Sequence, residues 1–93
     1  MFSSFEAVRA EALFLSCLQS SHSPSHDEVR TAVTATLRRL GTRSCAALVA
    51  AEFGDHPETA VPRMGWALAT VRAVYPARHT GTRSAPNRLA LAA

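Results

Sequence analysis

The chain contains no lysine and no isoleucine. All ten basic residues are arginine, and eighteen of the 93 residues are alanine. These absences track GC-rich codons and point to a high-GC bacterial genome. They also argue against reading each arginine as chosen for fork-like contacts, since no lysine was on offer. Cysteine is scarce. Cys17 and Cys45 have no C-x-x-C spacing, which removes the usual zinc and redox frameworks and leaves two thiols expected to behave as small buried hydrophobes. No apolar run approaches the roughly 18 residues a membrane-spanning helix needs. Glu6, Arg9 and Glu11 break the only early apolar region, so no secretion signal is expected and the protein reads as cytoplasmic. A glycine-rich phosphate loop and a G-x-S-x-G elbow are both missing, which removes the sequence signs of nucleotide binding and of a hydrolase nucleophile.

What is present favours helices. Hydrophobic residues are 47% of the chain, too many for a disordered protein, and alanine has the best helix propensity. The expected fold class is all-α: a four-helix bundle in residues 1–76, followed by a flexible basic tail in residues 77–93. In the first helix, Ser4 to about Leu18, the stripe is Phe5, Val8, Ala12, Leu15 and Leu18, with Leu13 and Phe14 broadening it toward packing on two sides. After a polar loop at residues 20–24, Ser25 and Glu28 have capping-box spacing. A second helix is expected from about His26 to Leu40, with Val29, Val33, Leu37 and Leu40 inward and Arg30, Thr34 and Arg38 outward. Gly41 should end it. A short third helix, about Ser44 to Phe53, would bury Cys45, Leu48, Val49 and Phe53.

The stretch from Glu52 to Trp66 organises the rest. Gly54 reads as a helix stop, since glycine takes positive φ without a Cβ penalty. Asp55 and Glu58 allow a second capping box, and Pro57 fits a first turn. The last helix should run from about Pro57 to Tyr75, stopped by Pro76, with either a kink or a separate opening turn at Pro62. Its periodicity gives two apolar faces, one with Val61, Met64, Leu68, Val71 and Tyr75, the other with Trp66, separated by Arg63, Thr70 and Arg72. A helix apolar on both sides is central or meets a partner; the central placement is the expectation. In spacing, residues 45–68 resemble a helix-turn-helix: Ala50 lies four before Gly54, Val49 and Phe53 are apolar, and Pro57-Glu58-Thr59 opens a second helix. Asp55 departs from that pattern, which usually has an apolar residue there. The overall pattern also resembles small all-helical proteins of unassigned function from high-GC bacteria, a likeness that brings no activity with it.

For chemistry, His22, His26 and His56 could join Cys17 and Cys45 at a metal, but the two closer histidines straddle Pro24 and no ligand spacing recurs. No metal, no cofactor and no enzymatic activity are therefore expected. Two functions compete. The leading expectation is a regulatory or adaptor module that binds a protein partner or a second copy through Trp66, Arg63 and Tyr75, residue types that dominate interface energetics. The alternative is a helix-turn-helix DNA-binding regulator. There Arg38, Arg39 and Arg43 would meet phosphates, with Thr59 and Arg63 on the reading helix. The net charge of +3 and pI near 9.7 permit this without demanding it. At the end of the chain, Ala90-Leu91-Ala92-Ala93 resembles the end of the tag that bacteria add to stalled proteins. The likeness implies a degron at Leu91, Ala92 and Ala93 and an ATP-dependent protease as a partner.

Overall fold

A computed structural model describes residues 4–76. It contains α1 (Ser4–Leu15), a 3-10 turn (Ser20–His22), α2 (His26–Leu40), α3 (Thr42–Asp55) and α4 (Pro57–Val74). No strand occurs among the described residues, so the all-α four-helix arrangement stands. None of these helices is long and apolar enough to cross a membrane. The tail from residue 77 lies outside the described residues.

α2 follows its local signals closely. The Ser25 hydroxyl accepts from the Glu28 N–H at 3.1 Å, and the Glu28 carboxylate accepts from the Ser25 N–H at 2.7 Å. This reciprocal pair satisfies two donors that the first turn leaves open. Val29, Val33 and Thr36 are buried, while Arg30, Thr34 and Arg38 are exposed. Gly41 closes the helix by donating its N–H to the Leu37 carbonyl at 2.9 Å. It has φ 81° and ψ 159°, a region open essentially to glycine alone.

The central helix is α1, not α4. It touches all three other helices, α4 most extensively. Ala10, Ala12, Leu13 and Phe14 are buried, and three consecutive buried residues require packing around more than one face. The expected stripe is therefore shifted. Phe5 is 73% exposed, and the helix stops at Leu15, before Leu18. α1 and α4 run antiparallel: Arg72, near the end of α4, pairs with Glu6 near the start of α1, and Arg63 in the first half of α4 reaches the end of α1.

α4 has one broad buried face instead of two opposed ones. Ala60, Ala67, Val71 and Val74 form its centre. Arg63, Thr70 and Trp66 flank it on one side, and Met64 and Leu68 flank it on the other, all half-buried. Arg63 and Thr70 thus lie within the packed face that they were expected to bound. Val61 is 58% exposed. The helix runs through Pro62. The missing proline N–H deprives the Glu58 carbonyl of its helical donor, and both residues are exposed, so water can serve that carbonyl.

α3 is longer than expected and less buried. Only Cys45 and Val49 are buried in it, with Phe53 half-buried; Leu48 is 44% exposed. Gly54 does not stop it. The helix continues to Asp55, and His56, with φ −139°, is the whole connection to α4. The expected box between Asp55 and Glu58 does not form, and no side chain caps α4.

Glycine substitutions at two sites should therefore have opposite signs. Gly65 lies inside α4 with open space where a Cβ would be built, so Gly65→Ala should stabilise the fold by about 0.5–1 kcal/mol. Gly41→Ala meets no steric obstacle but forces alanine to φ 81° and should cost about 1–3 kcal/mol. Chemical denaturation followed by circular dichroism measures both.

Candidate functional site

The most elaborate side-chain constellation surrounds Arg63. α1 ends without a glycine and without a basic residue in its last turn, so its terminal carbonyls lack local partners. Ser16 supplies part of the closure. Its N–H donates to the Leu13 carbonyl at 3.1 Å, and its hydroxyl donates to the same oxygen at 2.7 Å. Arg63 supplies the rest from α4. Its Nε donates to the Phe14 carbonyl at 2.7 Å, and its Nη2 donates to those of Ser16 and Leu18, each at 3.0 Å, and to Leu13 at 3.4 Å. The guanidinium lies 5.1 Å from the Trp66 ring centre and 5.8 Å from that of Phe14. Burial pulls the Arg63 pKa below its ordinary value, but arginine remains charged in proteins. A cation at the negative end of α1 is well placed for the helix dipole.

The partner-binding candidates Trp66, Arg63 and Tyr75 are thus all half-buried and already engaged. Trp66 packs against the core and faces Arg63. Tyr75 packs against the core at the other end of α4, where Arg9 lies 4.1 Å from its ring centre. The three are not one cluster. Trp66 and Arg63 sit at the end of α1, and Tyr75 sits by its start.

The nucleic-acid candidates divide likewise. Arg38, Arg39 and Arg43 flank the Gly41 junction and are exposed, and no ion pair engages them among the described residues. Thr59 is exposed at the start of α4, and its hydroxyl donates to the His56 carbonyl at 3.2 Å. Arg63 is committed to α1. The one-residue connection at His56 is shorter than the turn of three or four residues in a helix-turn-helix. Residues 4–76 hold seven arginines and seven carboxylates, so the formal excess of +3 resides in Arg78, Arg83 and Arg88. Those arginines, and Leu91, Ala92 and Ala93, lie outside the described residues.

A cleft of about 240 Å³ opens between Phe14, Leu15, Glu52, Thr59, Ala60 and Arg63. It falls below the range of roughly 300–1,000 Å³ usual for small-molecule sites. Among the described residues, no three of His, Cys, Asp and Glu come together as a metal-binding group. The two cysteines differ, contrary to the expectation that both are buried. Cys17 is exposed just past the end of α1, and Cys45 is in the core. Burial raises the Cys45 pKa, the Glu11 carboxylate raises it further, and Arg39 opposes both.

Sequence reading missed the role of Arg63. Its need was visible in the unclosed end of α1, but its carbonyl partners lie 45 to 50 residues away in the chain. Arg63→Ala should strip these carbonyls of their donor and lower stability by about 2–4 kcal/mol. Arg63→Lys should recover less than half of that loss, because an ammonium lacks the planar fork. Thermal unfolding of the three proteins gives both values. Separately, a thiol reagent at neutral pH should add one label to the native chain, at Cys17, and a second at Cys45 only after unfolding. Intact-mass measurement reads the number of labels, and peptide mapping reads their position.

Comparison of the chain with protein-family models, with curated proteins and with solved structures gives no match in any of the three.

Proposed function

We propose that the protein is a small cytoplasmic regulatory or adaptor module that acts by binding another protein. The observation that carries this reading is the apolar outer surface of α3 and α4. No charge interrupts the chain between Arg43 and Glu52, or between Arg63 and Arg72. Within these stretches Ala46, Ala47, Leu48, Ala50 and Ala51 of α3, and Gly65 and Ala69 of α4, are all exposed. Val61 adds a largely exposed side chain one turn before Gly65. Single exposed apolar side chains are ordinary, but continuous apolar faces on neighbouring helices fit a contact surface. The anchors differ from those read in the sequence. Leu48 and Val61 are free to meet a partner, whereas Trp66, Arg63 and Tyr75 support the fold beneath.

A second reading, contact with DNA phosphates, draws on the exposed arginines at the Gly41 corner. Its reading helix is poorly equipped, because Glu58, Val61 and Pro62 occupy the outer face of the first turns of α4 where base-edge donors would be needed.

One experiment separates the two. The tagged chain is recovered from its native cells as wild type, as Leu48→Asp/Val61→Asp and as Arg38→Glu/Arg39→Glu/Arg43→Glu. The protein-binding reading expects a stoichiometric native protein that is lost with the first variant. Specific DNA lost with the second variant, and no protein lost with the first, would replace it with the DNA reading.

A further inference from the structure

Resting on the protein-binding reading, we infer that the outer face of α3 pairs antiparallel with the same face of a second copy of this chain. Three observations on one helix converge. First, α3 contributes little to its own core: of its fourteen residues only Cys45 and Val49 are buried. Second, Arg43, Ala47, Ala50 and Gly54 are all exposed and recur at spacings of four, three and four, the seam spacing of paired helices. Small residues along such a seam let two helix axes approach to about 8 Å.

Third, the charges of α3 oppose its dipole. Its first turn holds Arg43 and no acid, and its last turn holds Glu52 and Asp55 and no base. A helix prefers the reverse arrangement. Arg38 and Arg39 are accounted for by the end of α2, and Glu58 by the start of α4, where their signs are favourable. Arg43 also follows the end of α2 and Asp55 precedes the start of α4, yet Arg43, Glu52 and Asp55 are all exposed, and none has an ion-pair partner among the described residues. An antiparallel copy resolves the conflict. It brings an acidic end to each basic end and sets the two dipoles side by side and antiparallel, a favourable arrangement.

The register follows from the seam. With Ala47 of one copy opposite Ala50 of the other, Arg43 lies opposite Gly54, and the missing side chain there leaves room for the guanidinium to reach Asp55. Two-fold symmetry repeats every contact, so two Arg43–Asp55 pairs bracket an alanine centre. A helix of fourteen residues is about 21 Å long, and one such pair falls below the area of stable standard interfaces. The dimer is therefore weak, with a dissociation constant on the order of 10–100 μM, and is further weakened by salt.

The test is sedimentation equilibrium on the full chain from about 5 to 500 μM at low salt, a span chosen to bracket that constant. Wild type should shift from monomer to dimer across this range. Arg43→Glu alone and Asp55→Arg alone each place like charges opposite one another twice, and each should weaken the dimer about tenfold or more. Each substitution favours the dipole of α3 and opposes that of the adjoining helix, α2 at Arg43 and α4 at Asp55, so the two effects offset and the folded monomer should melt close to wild type. An equimolar mixture of the two single variants should recover association to within about threefold of wild type, because every pair across that heterodimer is again opposite in charge. Ala47→Glu should abolish association. A chain that stays monomeric to 500 μM, or a dimer indifferent to the single swaps, overturns the inference. If such a monomer still captures a different protein through Leu48 and Val61, the adaptor reading survives without self-association; if it captures nothing, both fall.

Discussion

The fold depends on how α1 is closed. A central helix cannot leave its last carbonyls to solvent on every side, and a buried carbonyl without a donor costs about as much as several buried methylenes return. α1 has neither a glycine nor a basic residue of its own to end it. A guanidinium from α4 does so, with four carbonyls at 2.7 to 3.4 Å. Desolvating that cation is unfavourable, and the carbonyls, the helix dipole and the Trp66 and Phe14 rings offset the cost together. The position of Phe14 in turn sets α3, because its ring stacks on Phe53 with centroids 6.0 Å apart. One side chain thus couples the end of α1 to α4 directly and to α3 through one aromatic contact.

The other end of the bundle is tied by the same residue type. Arg72 pairs with Glu6, Arg9 lies over Tyr75, and Arg30 donates to the Val74 carbonyl near the end of α4 at 3.4 Å. Four of the seven arginines in residues 4–76 therefore hold helices together. Arg9 and Arg63 are half-buried in this role, while Arg30 and Arg72 keep an exposed side. What remains outside is the corner at Arg38, Arg39 and Arg43, balanced by the acidic junction of Glu52, Asp55 and Glu58. The described domain is polarised and neutral, and the basic pI of the whole chain says little about the partner of its helices.

Legibility from the sequence followed the range of the interactions. The bounds of α2 could be read to the residue because its cap and its glycine stop are local; its stripe was less legible, since Thr36 is buried where Leu37 and Leu40, both half-buried, were expected. At the next junction several local signals competed: Gly54, the Asp55–Glu58 spacing and Pro57. Pro57 prevailed. The ring of a proline pushes the preceding residue out of the α region, so the break falls at His56, and the His56 N–H can still close α3 on the Glu52 carbonyl at 2.7 Å. Gly54 then has no turn left to make. The faces of α4 were misjudged for a different reason. Arg63 was counted as a polar divider because it is charged, yet a long side chain can bury its stem and deliver its head to a distant acceptor. No local pattern reveals which arginine does this.

The core itself explains why polar closure matters so much here. Its largest fully buried side chains are Leu13, Val29, Val71 and Cys45, and much of the rest is alanine and valine. Small side chains bury little apolar area each, at about 25 cal/mol per Å², and a domain of this length already buries a smaller share of its surface than a larger one. The same preference for small residues that makes the helices form readily therefore leaves the packed interior modest. It also leaves the outer faces of α3 and α4 smooth enough for another helix to approach closely. Any partner seated there binds the folded chain and not the unfolded one, so it adds to stability by mass action. On the proposed reading the domain's stability and its occupancy are one equilibrium: the alanine content that limits the core inside the domain also shapes the surface on which a partner would sit.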